Sequence, residues 1–197
     1  VYALAVQASG KSIIGWAFTQ YQSRWVNKII RLNSDGTKDA FTSGYGFNAT
    51  IQTQAKQSDG KIIVGGNFTT YSGLAINYLV RLTTDGSLDT GFLIGGGFDG
   101  EVSALALQSD GKIIAGGTFT TYSGVSANNI VRLNSDGTRD ATFGIGTAFN
   151  GSVYDIKIQG DGKIIVVGDF TTYSGATNNR IVRLNTDGTK DTTFTIG

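Results

Sequence analysis

The 197-residue chain contains no cysteine and no histidine. The first absence removes disulfides and thiolate metal sites and leaves the redox compartment unreadable. The second removes Ser-His-Asp catalysis and imidazole-bound zinc. Glutamate is nearly absent too: of 15 acidic residues only Glu101 is one, and the rest are aspartates, which suit turns where glutamate suits helices. No sign of charge dominates, since 16 basic residues leave a net charge of +1, too little to draw in nucleic acid or an anionic membrane. Apolar runs such as that from Ile62 to Gly66 fall far short of the roughly twenty residues that span a bilayer. Nucleic-acid binding and membrane insertion are not expected, and no cofactor or metal is required. The chain opens on Val1 inside a strand-like run, which reads as a processed or excised piece of something longer.

What the chain does have is 29 glycines and an internal repeat. Gly10-Lys11 returns as Gly60-Lys61, Gly111-Lys112 and Gly162-Lys163, at steps of about fifty residues. The same steps link Phe18, Phe68, Phe119 and Phe170, and likewise Tyr21, Tyr71, Tyr122 and Tyr173. They also link Arg31, Arg81, Arg132 and Arg183, and Asp39, Asp89, Asp140 and Asp191. The first copy is one residue short between Asp39 and Phe41, a loop deletion. The units run over 1–50, 51–101, 102–152 and 153–197 and form a single domain or part of one.

In the third copy, Val102 to Gln108 reads as a strand, Ser109-Asp110-Gly111 as a tight turn, and Lys112 to Phe119 as the antiparallel partner. A Thr-Thr-Tyr-Ser-Gly loop follows at Thr120 to Gly124. Then come a strand from Asn129 to Asn134, a second turn at Asp136-Gly137 and a short return strand through Phe143. That makes about four strands per unit. Leu105-Ala106-Leu107 and Ile113-Ile114-Ala115 are apolar on both faces, so each sheet must be covered on both sides. Blades packed radially about an axis meet that need, and Gly65-Gly66 and Gly116-Gly117 allow close approach where they converge. The expected fold is an all-β β-propeller of four four-stranded blades, either a closed four-bladed ring or part of a larger propeller.

The pattern Gln-Ser-Asp-Gly-Lys-Ile-Ile-x-Gly-Gly-x-Phe-Thr-Thr-Tyr-Ser-Gly, with Ile-Val-Arg-Leu-Asn-x-Asp-Gly-Thr-x-Asp after it and a Gly-x-x-Phe-Asn-Gly link, resembles the delta-60 repeat family of β-propellers over the whole chain. The resemblance implies a place in tandem arrays of bacterial surface or secreted proteins, or in phage tail and fibre proteins. It therefore implies an extracellular, cell-surface or virion location and no assigned chemistry. The first copy departs most from the pattern, with Ala8 for the turn aspartate, Trp16 for glycine and Ser23 for glycine.

Repetition sorts the remaining motifs. Ser9-Gly10-Lys11-Ser12 lacks the earlier glycine of a phosphate loop and lies on a hairpin, so it carries no nucleotide. The Asn33-to-Asp39 turn alternates oxygen ligands as calcium loops do, but Arg31 stands where the first ligand belongs. An Asx-capped turn is the simpler reading. The Arg31, Arg81, Arg132 and Arg183 ladder, each with an aspartate eight residues on, reads as a structural ladder of paired charges, with an anion-binding ring as the alternative. Tyr71, Tyr122 and Tyr173 have two readings: packing over strand ends, or repeated platforms for a glycan.

Departures from repetition are where a private function belongs. In the first copy Trp16, Tyr21, Arg24, Trp25 and Lys28 bring together residue types enriched at binding hot spots. They are the expected partner-binding residues, or the contacts of an end blade with a neighbour. Asp99, Glu101, Asp155 and Asp169 are acidic where sister copies are mostly neutral, and a carboxylate pair for glycoside hydrolysis would have to come from these. The functional expectation is a non-catalytic recognition or structural module of a larger surface or virion protein, contacting a protein partner. The alternative is a lectin-like binder of a cell-surface glycan through the repeated tyrosines.

Overall fold

The computed structural model describes residues 3–7 and 9–195. Val1, Ala8 and Gly197, all used in reading the repeat, lie outside the described residues, as does the side chain of Arg24. Four antiparallel three-stranded sheets follow one another along the chain. In the third blade an inner strand, Val102–Leu107, pairs with a middle strand, Ile113–Gly117, and this with an outer strand, Ile130–Leu133. The inner strands of the other blades are Ala3–Val6, Ile51–Lys56 and Val153–Ile158. The middle strands are Ser12–Gly15, Ile62–Gly66 and Ile164–Gly168. The outer strands are Ile29–Leu32, Leu79–Leu82 and Ile181–Leu184.

The sequence-based strands hold with two local differences. The return leg after Asp136-Gly137 amounts to one bridge, Leu133 to Arg139. Asp140 turns the chain away, because its Oδ1 accepts both the amide and the hydroxyl of Thr142, at 2.9 and 2.6 Å. Each blade is thus a three-stranded sheet with a bridged fourth leg. The Thr-Thr-Tyr-Ser-Gly segment is itself a small hairpin, Thr121–Tyr122 against Val125–Ser126. Ser123 and Gly124 both take positive φ, 49° and 77°, the backbone of a two-residue turn matched to strand twist.

Successive inner strands touch, first to second, second to third and third to fourth. Three apolar clusters fill the spaces between neighbouring blades, and each wholly buried Ile or Val there contributes about 2 kcal/mol. The middle strand of the third blade is buried along its full length, which is why it carries no alternation. A Cβ on Gly116 would lie 2.4 Å from Val153 of the next blade, and one on Gly65 2.7 Å from Val102. Glycine is needed there for the blades to close. At the equivalent place in the fourth blade stands Val167. On the opposite face of the first blade Leu4 and Val6 are each 58 % exposed, whereas Ile156, at the place of Leu4, is buried against the third blade.

Candidate functional site

The repeated charged residues meet within each blade. Arg81, Arg132 and Arg183 donate through Nε to Asp89, Asp140 and Asp191 at 2.7, 2.8 and 2.7 Å, and Arg31 donates to Asp39. Each guanidinium also lies over a phenylalanine ring, Arg132 over Phe143 at 4.5 Å. A further N–H reaches into the next blade: Arg31 to Thr84 O, Arg81 to Ser135 O and Arg132 to Thr186 O. The ladder therefore staples neighbouring blades, and its charges are spent on one another and on backbone carbonyls. Burial alone would raise the Asp140 carboxyl, but hydrogen bonds from Thr142 and Arg132 outweigh it and hold the group below its ordinary value. Lys61 and Lys163 add a second cation to Asp89 and Asp191, while Lys112 turns instead to Asp110.

The repeated tyrosines are interior. Tyr122 is 1 % exposed, packs on Phe98 with ring centroids 4.6 Å apart, and donates its hydroxyl to the carbonyl of Gly137. Tyr71 and Tyr173 do the same with Gly86 and Gly188. Burial, and after it the Asp136 carboxylate, pushes the Tyr122 hydroxyl above its usual range. None of the three rings presents a face on which a sugar could stack, which corrects the reading of Tyr71, Tyr122 and Tyr173 as glycan platforms. The Thr-Tyr-Ser-Gly hairpin folds each ring inward. Tyr21 makes the equivalent bond to Gly36 O at 2.9 Å, so its hydroxyl serves the repeat and not a partner.

The first blade's other departures separate. Trp25 is 74 % exposed and borders a surface cavity of about 290 Å³. Across that cavity lies Tyr45, 81 % exposed, whose carbonyl accepts a hydrogen bond from Asn27 at 2.6 Å. Sister blades carry Ala75, Ser126 and Thr177 for Trp25, and Gly96 and Thr147 for Tyr45. Trp16 and Lys28 do not line this cavity. The Trp16 amide donates to Lys28 O at 2.9 Å. Lys28 takes a positive φ, 69°, as do Tyr78, Asn129 and Arg180 at its place in the other blades. Tyr45 escaped sequence reading because the one-residue deletion before Phe41 blurs the register there.

The acidic departures are occupied locally. Asp99 accepts the amides of Thr120 and Thr121, both at 2.8 Å, the capping that Asn48 and Asn150 perform in their blades. Burial opposes its ionisation, but these bonds prevail and bring its pKa down to about 2. Glu101 accepts from Ser103 Oγ at 3.0 Å, Asp155 pairs with Lys157 at 2.9 Å, and Asp169 with Arg180.

A second cavity, of about 490 Å³, is bordered by the inner strands of all four blades, among them Leu4, Gln54, Ser103, Tyr154, Asp155 and Lys157. Here too the copies differ. The place of Tyr154 holds Gln52 and Ser103 in the second and third copies, and that of Gln54 holds Leu4, Leu105 and Ile156 in the others. Gln54 Nε2 is fixed by donating to Ile13 O at 2.7 Å. Among the described residues its Oε1 is a buried side-chain oxygen without a hydrogen-bond partner, a state that costs about 1–3 kcal/mol. Sequence reading passed over Gln54 and Tyr154. Disagreement among copies along the inner strand was the signal available.

Radially packed, separately hydrogen-bonded four-fold repeats of this kind define a β-propeller. The chain belongs to the family described as "Domain of unknown function (DUF5122) beta-propeller", which matches residues 7–41, 57–92, 108–143 and 159–194. No curated protein matches the chain. Among solved structures it is similar to a protein of unknown function from Bacteroides caccae, with 13% identity and a TM-score of 0.52. That likeness covers 95% of this chain and 64% of that one, so the chain spans less than two thirds of its length. It is also similar to virginiamycin B lyase from Staphylococcus aureus, at 17% identity, TM-score 0.44, over 93% of this chain and 51% of that one. A third likeness is to the extracellular domain of a putative one component system of B. thetaiotaomicron, at 14% identity, TM-score 0.41, over 92% and 26%. These likenesses concern the fold alone.

Proposed function

We propose that this chain is a non-catalytic recognition module of a larger surface or virion protein, and that it grips a protein partner at the rim of its first blade. The observation that carries the reading is the pair Trp25 and Tyr45. Two large rings, 74 % and 81 % exposed, border one cavity in the first blade, where sister blades carry Ala75, Ser126 and Thr177 for the one and Gly96 and Thr147 for the other. Exposed aromatics without a packing role are characteristic anchors of interfaces. The repeated charges and the acidic departures are already engaged within the propeller, which leaves the rim pair as its most distinctive exposed feature. A surface or virion setting is what the sequence resemblance implies.

The test places a photocrosslinking residue at position 25 and, as control, at Ala75 in the second blade, in cells or particles that make the protein. A single partner trapped from position 25 and not from 75 is expected. Identical products from both positions would sink the reading. Trp25→Ala should then weaken the purified pair by about thirtyfold, the scale of a hot spot, with the unfolding midpoint nearly unchanged. Equal loss of binding and stability would make Trp25 a packing residue.

A further inference from the structure

We propose that the backward face of the first blade, the side turned away from the second, is a docking surface for one further blade of the same repeat, set immediately ahead of it. The chain's own fourth blade is not that occupant. The three boundaries within the chain define the fit, because at each one the preceding blade grips the second turn of the following blade at three points. Arg31, Arg81 and Arg132 donate to Thr84 O, Ser135 O and Thr186 O. The amides of Thr42, Leu93 and Gly144 donate to the next carbonyls, Asp85 O, Asp136 O and Asp187 O, each at 2.7 Å. The rings of Phe41, Phe92 and Phe143 lie where a Cβ on Gly86, Gly137 or Gly188 would meet them, at 2.9, 3.0 and 2.8 Å.

The first blade carries the same turn already folded. Gly36 N donates to Asn33 O at 3.0 Å, Asp35 accepts the Thr37 amide as Asp136 accepts that of Thr138, and Tyr21 donates to Gly36 O as its sisters do. Yet among the described residues nothing donates to Ser34 O or Asp35 O, and a Cβ on Gly36 would meet nothing within 4 Å. The apolar half of the face is uncovered as well. Leu4 and Val6 are each 58 % exposed, whereas their counterparts Leu105 and Leu107 pack into the cluster shared with the second blade, and Ile156 and Ile158 into that shared with the third. Apolar strand residues in water beside a preformed grip mark an interface, and its continuity with three others of the same build identifies the occupant.

The fourth blade offers only half of the fit. It has the stacked pair, Arg183 over Phe194 at 4.8 Å. On its inner half, however, Asp155 and Lys157 stand where Ala104 and Ala106 are buried at the third boundary, and Val167 stands where Gly116 does. Seated on the first blade, Asp155 and Lys157 would lose water against the apolar Leu4 and Val6. Val167 would collide, since a Cβ on Gly116 already lies 2.8 Å from Ile156, whose place Leu4 takes. Neither ring closure through the fourth blade nor head-to-tail stacking of copies fits. The occupant carries small residues at these three places. This surface is separate from the rim that holds Trp25, and its test does not depend on that reading.

Because the chain has no cysteine, Leu4→Cys gives a single thiol whose maleimide labelling reads the cover on this face. A copy of residues 102–152 joined ahead of Val1 keeps the register, since Val1 then follows Ser152 as Val153 does. In that protein labelling should slow about hundredfold relative to Leu4→Cys in the unlengthened chain, and unfolding should remain one transition with a higher midpoint. Ala104→Asp, Ala106→Lys and Gly116→Val, made together in the added copy, introduce what a folded fourth blade already carries and should restore fast labelling. Arg132→Ala in the added copy should give back about tenfold of the protection. In the unlengthened chain the labelling rate should not change with protein concentration. Fast labelling in the lengthened chain, or an added unit that unfolds apart from the rest, overturns the proposal. So does protection that survives the triple substitution, or that rises with the concentration of the unlengthened chain, since either makes the fourth blade or a second copy the occupant.

Discussion

Boundaries between blades and the outward faces of the first and last blades are built from the same repeat, yet they differ in chemistry. At a boundary the preceding blade supplies an arginine that reaches a turn carbonyl, a phenylalanine under it, and a glycine that admits a β-branched residue. The following blade supplies that residue and the second-turn glycine. A Cβ on Gly137 would lie 3.0 Å from the Phe92 ring, whereas Gly36 of the first blade has nothing within 4 Å. On the fourth blade's outward face Arg183 bonds to Asp191 and Thr193 of its own blade, Val167 replaces the glycine, and a Lys157–Asp155 pair replaces small side chains. Repetition in sequence thus records contacts between blades, and it relaxes where a blade meets no other described one.

The sharpest way to break this contrast is to remove equivalent arginines. Arg132 and Asp140 form a buried pair, with side chains 8 and 6 % exposed, whereas Arg183 is 21 % exposed. Arg132→Ala should cost about 3 kcal/mol by stranding a buried carboxylate, and Arg183→Ala about 1 kcal/mol, because Lys163 stays paired with Asp191 and no reach into another blade is lost, both read from urea midpoints. Equal costs would show that the reach into the next blade contributes nothing. Next in size, Gly116→Val places at an inner boundary the residue that the fourth blade already carries. Overpacking against Val153 and Ile156 should cost about 2 kcal/mol, against about 1 kcal/mol or less for Val167→Gly. A Gly116→Val protein as stable as the parent would mean that the boundary gives way freely. Smallest, Tyr122→Phe should cost about 1 kcal/mol for the orphaned Gly137 carbonyl, and Tyr21→Phe less, because the half-buried Tyr21 leaves its acceptor to water.

How legible all this is from sequence depends on which side of the repeat a residue stands. The ladders gave the all-β class, the four repeats, both turns and the partners of Arg81 and Asp89, because each rests on local spacing. Burial of Tyr71, Tyr122 and Tyr173 was not decidable, since a five-residue polar stretch looks like a loop until Ser123 and Gly124 take positive φ and close it as a hairpin. Nor was the meeting of Trp25 with Tyr45, twenty residues apart across a deletion. The Gln54 acceptor was hidden for a different reason: glutamine in an alternating strand reads as a solvent-facing position, and only the tertiary fold shows its oxygen covered.

The forward and backward faces of a blade are different surfaces, so every boundary is head-to-tail, and no blade can pair with itself through a twofold axis. An in-frame duplication of one fifty-residue unit would therefore bring a matched forward and backward face together, and the lengthened chain would need no compensating mutation to fold. Growth of such an array would be constrained at the boundaries. The places left free to differ would be those that meet no neighbouring blade, such as the rim where Trp25 and Tyr45 stand.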